Sequence, residues 1–381
     1  MTTCSKCLIT SKVPDVTFDK NGICNYCKVH DALSQAYPMG EAGQEILKNK
    51  VEKIKKDGLK LKYDVIVGAS GGTDSSYLLY LTKNLGLRPL AVHLDNGWNT
   101  EISVVNLRNT LETLDINLKS YIINWEVFKD ILRAQLYSNL PWADIPTDLA
   151  IISALYKTAN EYGVKHIFVG NNFRTEGKQP TEWTYGDYKQ LRHIYSLFGN
   201  NKKLDSYPTL PISNLLWYSG VKRITMTRPL YFVNYNKKVA KELLKKELKW
   251  RDYGGHHHEN IFTRYIIGHW LPKKFQIDKR IITLSAYIRN GELSREAAVE
   301  ELKENPYPLK MVQSDEDYIK KKLNLTNEEF NKIWNSPNKS FKDYPSYYGI
   351  LNRSRFLLTF IQKYIFGFKP LFLYNPKNYN S

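Results

Sequence analysis

Between residues 63 and 200 the apolar positions come in short blocks that switch between two periodicities. The run Tyr63-Asp64-Val65-Ile66-Val67 is nearly continuous and β-branched, which predicts a buried strand over 63–68. Helical spacing follows over 74–85, 101–114, 125–136 and 147–162, with Thr147 as the expected N-cap of the last helix. Strands are predicted between these helices over 89–94, 119–123 and 165–169. Such alternation predicts an α/β fold, a doubly wound parallel sheet. Sheets of this kind bind ligands beyond the carboxyl ends of their strands, near the switch in strand order. Three loops would open there: 68–76, Asp95-Asn96-Gly97 and Gly170-Asn171-Asn172.

Outside this stretch the pattern changes. Residues 31–62 are polar and lysine-rich and read as a connector, helical over 45–54. Residues 208–216 read as loop. Residues 236–250 predict an amphipathic helix with Ala240, Leu243, Leu244 and Leu248 on one face. Further helices are expected over 294–304 and 326–334, where Thr326-x-x-Glu329 has the form of a capping box. The expected organisation is therefore a ribbon over 1–30, the connector over 31–62, the sheet domain over 63–200 and a helical C-terminal portion over 201–381. The tail 339–381 carries 12 aromatics, seven Lys/Arg and one acid. It reads as aromatic packing onto the core, with an interface for a partner, a membrane surface or RNA as the alternative.

Composition changes this picture little. The chain has 381 residues, 42% hydrophobic and 24% charged, which suits a globular protein of about two domains. It has no uncharged apolar run of about 18 residues, so no transmembrane segment and a cytoplasmic location are expected. The net charge of +17 favours polyanionic partners: ATP, a nucleotide sugar, tRNA or an anionic membrane. Charge alone does not select RNA among them.

All four cysteines lie near the start, as Cys4-x-x-Cys7 and Cys24-x-x-Cys27 with 16 residues between the pairs. Two such knuckles predict a tetrahedral structural zinc site, and an iron–sulfur cluster is the rival occupant. The segment between them is too short for a core of its own, so the metal would hold it together. His30 is expected on the surface. If all four thiols close around zinc, none remains for sulfur transfer, and nitrogen transfer becomes the better reading.

The first loop carries the most specific chemistry. Ala69-Ser70-Gly71-Gly72-Thr73-Asp74-Ser75 stands between a predicted strand and a predicted helix. Its glycines allow positive φ and close backbone approach. Its hydroxyls and the free N–H groups of the helix start would cradle a pyrophosphate, with the helix dipole behind them. The spacing is neither a Walker loop nor a dinucleotide fingerprint. It resembles the PP-loop ATP pyrophosphatases, whose sheet is HUP-like. That resemblance implies ATP and Mg2+, adenylation of a carbonyl oxygen, release of pyrophosphate, and displacement of AMP by a nitrogen or sulfur nucleophile. It also implies that main-chain groups near His93 and Leu94 read adenine, with Asp95 near the ribose or the magnesium.

Other candidates come from residue type. Asp144 and Asp148 precede or open a helix and would hold magnesium or orient a substrate, or Asp148 would simply favour the helix dipole. Gly170, Asn171, Asn172, Thr175 and Glu176 would face ATP or the acceptor. In Tyr253-Gly254-Gly255-His256-His257-His258-Glu259, one histidine together with Glu259 could serve as a general base. The basic run Lys273, Lys274, Lys279 and Arg280 could bind the phosphates of a nucleotide sugar.

Together these segments narrow the resemblance. The early Cys-x-x-Cys, Ile-Pro-Thr-Asp, Gly-Asn-Asn-Phe-x-Thr-Glu-Gly, Tyr-Gly-Gly-His-His-His-Glu-x-x-Phe-Thr-Arg and Leu-Pro-x-Lys-Phe-x-x-Asp-Lys-Arg resemble the N-acetyl sugar amidotransferases of surface-polysaccharide synthesis. The likeness spans roughly residues 1–310. It implies conversion of a sugar acetamido group, on a carrier such as a nucleotide, into an acetamidino group. Ammonia would come from glutaminase and barrel subunits similar to imidazole glycerol phosphate synthase. It further implies Asp74, Ser75, Glu176 and His257 as catalytic residues, and Asp148, Asn171, Asn172, Thr175, Lys274 and Arg280 as substrate-binding residues. The ATP contacts would be 69–75, His93, Asp95 and Gly170. An external ammonia source also follows from the residues, because every cysteine lies in the ribbon. The alternative is a tRNA-modifying PP-loop enzyme, although nucleic acid is the less favoured partner.

Overall fold

The computed structural model describes residues 2–200, 204–255, 258–305, 307–354 and 374–379. Five strands form one sheet: β1 (Val65–Gly68), β2 (Pro89–Asp95), β3 (Asn117–Ile122), β4 (His166–Phe168) and β5 (Thr225–Thr227). Their order is β3-β2-β1-β4-β5, and every pairing is parallel. The order reverses direction beside β1, where Ile66 pairs with Ile167 and Val67 with Phe168. The loops after β1 and β4 are therefore neighbours at the switch point, where open α/β sheets take their ligands.

Helices cover both faces. They are α1 (Asn25–Ala36), α2 (Gly40–Gly58), α3 (Thr73–Asn84), α4 (Glu101–Leu114), α5 (Trp125–Tyr137) and α6 (Ile145–Glu161). Alternation along β1 decides which face each residue serves. Val65 and Val67 pack with Leu78 and Leu79 of α3, Leu107 of α4 and Leu47, Val51 and Ile54 of α2. Ile66 points the other way, into Ala154, Leu155 and Ala159 of α6. All three β1 side chains are fully buried, each worth about 1.5–3 kcal/mol of apolar transfer.

Several expectations need correction. The fourth helix starts at Ile145, with Asp144 at the cap position and Thr147 already inside, because Pro146 suits the first turn. Residues 208–216 are not all loop: Pro211 precedes a helix over Ile212–Leu216 that continues as a wider turn over Trp217–Val221. Strand β5, from the mostly helical region beyond 200, completes the sheet. His30 is buried, 5% exposed, with its ring edge-on to Phe173. Burial, joined by Arg289, Arg174 and Lys6, pushes its pKa down to about 3 and keeps it neutral. Residues 31–62 hold the end of α1 and all of α2, whose apolar face joins the core just described.

The C-terminal portion is built mainly of helices, including Lys237–Leu248, Arg280–Arg289, Leu309–Leu323 and Asn327–Asn335. Thr326 and Glu329 form the anticipated capping box. Where the aromatic tail is described it packs inward: Phe341 and Tyr374 are buried, and Asn25 donates to the Pro376 carbonyl. Residues 355–373 of that tail lie outside the described residues. Among the described residues no helix is long and apolar enough to cross a membrane.

Candidate active site

The loop after β1 is braced from within. The Ser75 hydroxyl accepts from the Ser70 amide at 3.1 Å and donates to the Gly72 carbonyl at 3.2 Å. Ser70 Oγ accepts from the Gly72 amide at 3.2 Å. Gly71 has φ +79°, and a Cβ there would lie 2.0 Å from the Ser103 carbonyl oxygen. Only glycine fits that backbone. Its own carbonyl accepts the Trp250 indole N–H at 3.0 Å. Ser75 thus shapes the cradle, and Asp74 follows at the start of α3.

Residues from beyond 230 close around this turn. The Tyr235 hydroxyl donates to Asp74 Oδ1, and Lys237 Nζ stands 3.2 Å from Oδ2. Asn236 caps the helix that begins at Lys237, which aims the lysine at the loop. Burial opposes the charge on Lys237, but Asp74, aided by Tyr253, Tyr287 and Glu176, outweighs it and raises the pKa. Tyr253 Oη accepts the Thr73 amide proton at 3.0 Å and lies 3.1 Å from the Thr73 hydroxyl. Burial, then Glu259, pushes its phenol well above the usual range, so it stays protonated. The Glu259 carboxylate faces the same turn: a Cβ on Gly72 would meet its Oε1 at 3.2 Å. The cradle that the glycines leave open, at a helix start and ringed by hydroxyls and a lysine, is chemically suited to an anionic group such as a phosphate.

Neighbouring loops supply the rest of the edge. His93 Nδ1 lies 2.9 Å from the Ala69 carbonyl oxygen, and Asp95 accepts from the Gly97 amide at 2.9 Å. Gly170 lies against Asp74, where a Cβ would come within 3.2 Å of the Asp74 carbonyl carbon. Asn172 caps the short helix Phe173–Glu176, and its amide donates to Glu176 at 3.3 Å. The Thr175 hydroxyl is buried and donates to the Asn172 carbonyl, whereas Asn171 is exposed. The loop is therefore built by Asn172 and Thr175, with Glu176 held at its end.

Three anticipated substrate residues have partners within the protein, Arg280 while lining the cavity that these elements border. Lys274 donates to the Trp334 and Ser336 carbonyls at 2.7 and 2.8 Å, closing the end of the helix Asn327–Asn335. Arg280 pairs with Asp278 at 2.7 Å and donates to the carbonyls of Glu301 and Glu304. Asp148 accepts the Trp142 indole N–H at 2.7 Å, and Asp144 accepts the Thr263 hydroxyl. His256 and His257 lie outside the described residues. His258 is described, with Nδ1 accepting from the Gly255 amide.

These elements border a cavity of about 670 Å³. Thr73, Lys237, Tyr253, Lys279 and Tyr287 lie on its wall, with Arg264 and Tyr307 further along. Local periodicity could not have found Lys237, Tyr235 or Tyr253 as site residues. For Lys237 the available signal was Asn236 as a cap, which places a lysine at the first turn of a helix, and Tyr253 opens the Gly-Gly-His-His-His stretch already singled out in the sequence.

The four cysteines converge at the opposite pole of the helix Arg280–Arg289. All are fully buried, and their sulfurs lie within 4.8 Å of one another. Individual Sγ separations are 3.6–3.9 Å. A tetrahedron with bonds of about 2.3 Å has edges of about 3.8 Å, so the set fits a single ion. Arg289 donates to Cys27 and Cys7 Sγ at 3.3 Å each, offsetting thiolate charge.

A five-stranded parallel sheet with this glycine–hydroxyl turn at its switch point is an open α/β architecture whose ligand edge is the one these loops form. Residues 259–357 match the family described as LPS biosynthesis protein WbpG-like, C-terminal domain. The match extends past residue 310, where the sequence resemblance was expected to end. Among curated proteins none matches. Among solved structures the chain is similar to NMN synthetase from Francisella tularensis, at 15% identity over 77% of this chain and 98% of that one, with a TM-score of 0.37. It is also similar to the NH3-dependent NAD synthetase from Campylobacter jejuni, at 13% identity over 78% and 98%, with a TM-score of 0.33. A third is the U34-tRNA thiolase NcsA from Methanococcus maripaludis with its [4Fe-4S] cluster, at 18% identity over 77% and 87%, with a TM-score of 0.32.

Proposed function

We propose that this chain is an ATP-dependent, AMP-forming amidotransferase of LPS biosynthesis. It would activate the acetamido oxygen of an N-acetyl sugar, on a carrier such as a nucleotide, and deliver ammonia to form an acetamidino sugar. The observation that carries the reading is the shared wall. The Ser70–Ser75 turn, with Asp74 held by Lys237, opens onto a cavity whose other side belongs to the WbpG-like segment.

The chemistry follows from the groups present. An amide carbonyl is a poor electrophile, and transfer of AMP to its oxygen makes that oxygen a leaving group. Bound Mg2+ would supply charge neutralisation at the phosphates. The loop amides and Lys237 would stabilise the negative charge that builds on the departing pyrophosphate. Zinc in the four-cysteine cluster would be structural, because all four positions of the tetrahedron are protein thiolates. With every cysteine in that cluster, ammonia would come from a partner glutaminase.

The test is mass spectrometry of N-acetylated sugar nucleotides incubated with the protein, ATP, Mg2+ and ammonium chloride. Replacement of oxygen by NH lowers the acceptor mass by about one dalton, with AMP and pyrophosphate as co-products. Production of ADP and orthophosphate would overturn the reading.

A further inference from the structure

Two of the lysines that line the cavity, Lys237 and Lys279, stand in opposite electrostatic settings. Lys237 is locked in its charged form by Asp74 at 3.2 Å. Lys279 has no carboxylate within 4.0 Å among the described residues; its Nζ lies 4.0 Å from the centroid of the Trp142 ring instead. It stands at the N-cap of Arg280–Arg289, a helix whose Ile282 packs against Gly177 just after the Glu176 turn. The helix therefore presents Lys279 to the carboxyl edge of the sheet, on the wall shared with Thr73 and Tyr253.

The nearby carboxylates are already engaged. Asp148 accepts from Trp142, Asp144 from Thr263 and Glu176 from the Asn172 amide. On its own element, Asp278 and Arg280 pair with each other. We propose that Lys279 is the base that takes a proton from the nitrogen nucleophile, a role that rests on the amidotransferase reading above. Burial pushes its ammonium down to about 8, while Asp148, Glu176 and Asp144 oppose the fall. A large fraction is then neutral near physiological pH, the condition for an efficient base.

The step balances without an added reagent. Ammonia adds to the carbon that bears the AMP-linked oxygen, forming the C–N bond. The new nitrogen carries the positive charge, and the neutral Lys279 amine takes one of its protons. The C–O bond then breaks, its electron pair leaves with AMP, and the amidinium remains. Lys279 passes its proton to water. The aromatic face of Trp142 tolerates both forms of the side chain while offering no proton acceptor of its own.

Two measurements on the full chain test this. First, trace acetylation by an N-hydroxysuccinimide ester is followed by peptide mass spectrometry from pH 6.5 to 10.5. Lys279 should reach half-maximal labelling near pH 8; labelling in step with surface lysines, near their ordinary pKa of about 10.4, would overturn the proposal. Second, Lys279→Arg keeps a cation and cannot accept a proton. With the N-acetylated sugar nucleotide that supports turnover, the variant should retain sugar-dependent ATP–pyrophosphate exchange within a few-fold. Amidine formation from ammonium should fall about 10²–10⁴-fold and lose its rise through pH 8. Loss of exchange as well would make Lys279 a phosphate ligand and end the proposal. Amidine formation at the wild-type rate would end it too, with the amidotransferase reading intact. If the wild type gives no exchange with any sugar, that reading fails and this one falls with it.

Discussion

Lys237 Nζ lies 3.2 Å from Asp74 Oδ2, although 163 positions separate the two residues. The pair joins the first helical turn after β1 to a helix of the C-terminal portion, and the Tyr235 hydroxyl holds the other carboxylate oxygen. Asp74→Asn would keep the shape and the neutral hydrogen bond but remove the charge. Lys237 would then be a mostly buried cation without its carboxylate. The expected result is a loss of about 10²–10³-fold in pyrophosphate release, with Lys237→Met similarly impaired. A pyrophosphate-release assay reads both. Turnover within threefold of wild type in Asp74→Asn would break the link between this pair and the chemistry.

Gly71 gives a sharper test of the cradle. An alanine Cβ there would meet the Ser103 carbonyl, and φ +79° disfavours any side chain. The obstruction is backbone in α4, which cannot rotate aside as a side chain could. Gly71→Ala should therefore distort the turn, weaken ATP binding at least about tenfold in calorimetry, and lower stability by roughly 1–3 kcal/mol. Gly220→Ala is the control, because a Cβ there meets nothing within 4 Å. Equal ATP affinity in both variants would show that the turn does not hold the nucleotide.

Much of this site was legible because its chemistry is local. The glycines, hydroxyls and acid of 70–75 stand together in the sequence, and so do the two cysteine pairs. The strand alternation placed the three edge loops because β1, β4 and the first half of β2 are apolar runs buried on both sides. What was missed depends on long-range packing. Tyr235, Lys237 and Tyr253 reach the loop only because the helix Lys237–Leu248 packs against α3 through Ala240 and Leu244. Strand β5 is three residues long, too short for a periodicity to register. Lys274 and Arg280 look like free cations in the sequence, and only the fold reveals the carbonyls that they meet.

The cysteine cluster predicts a metal content and a role for Arg289. Purified protein should carry about one zinc per chain and no absorption near 400 nm; a brown protein with iron and sulfide would identify a cluster instead. Arg289 is the buried cation over Cys7 and Cys27, and Ser285 of the same helix accepts the Leu8 amide proton. Arg289→Met should leave thiolate charge uncompensated and weaken metal retention about 10–100-fold, read as the rate of zinc release to a chelator. Cys7→Ser should lose most of the zinc and loosen the ribbon, with a fall in melting temperature. A chelator rate unchanged in Arg289→Met would reduce Arg289 to packing.

Within the WbpG-like segment, Arg264 and Asp315 form a bidentate pair, with Nε–Oδ2 at 2.6 Å and Nη2–Oδ1 at 2.7 Å. The Tyr307 hydroxyl also donates to Asp315, which is only 4% exposed. The pair pins the helix Leu309–Leu323 to the segment Ile261–Tyr265, whose Ile261 amide bonds the Trp98 carbonyl beyond β2. Removing one partner strands a buried charge. Removing both can be nearly neutral, because the desolvation cost of each ion disappears with it. Arg264→Leu should therefore destabilise by about 3–5 kcal/mol in urea unfolding, while Arg264→Leu with Asp315→Leu should recover more than half of that loss. Because Arg264 also lies on the cavity wall, the double variant separates folding from binding: restored stability with weakened acceptor binding would place Arg264 in recognition. A single variant within about 0.5 kcal/mol of wild type would mean that this pair does not hold the segment to the sheet.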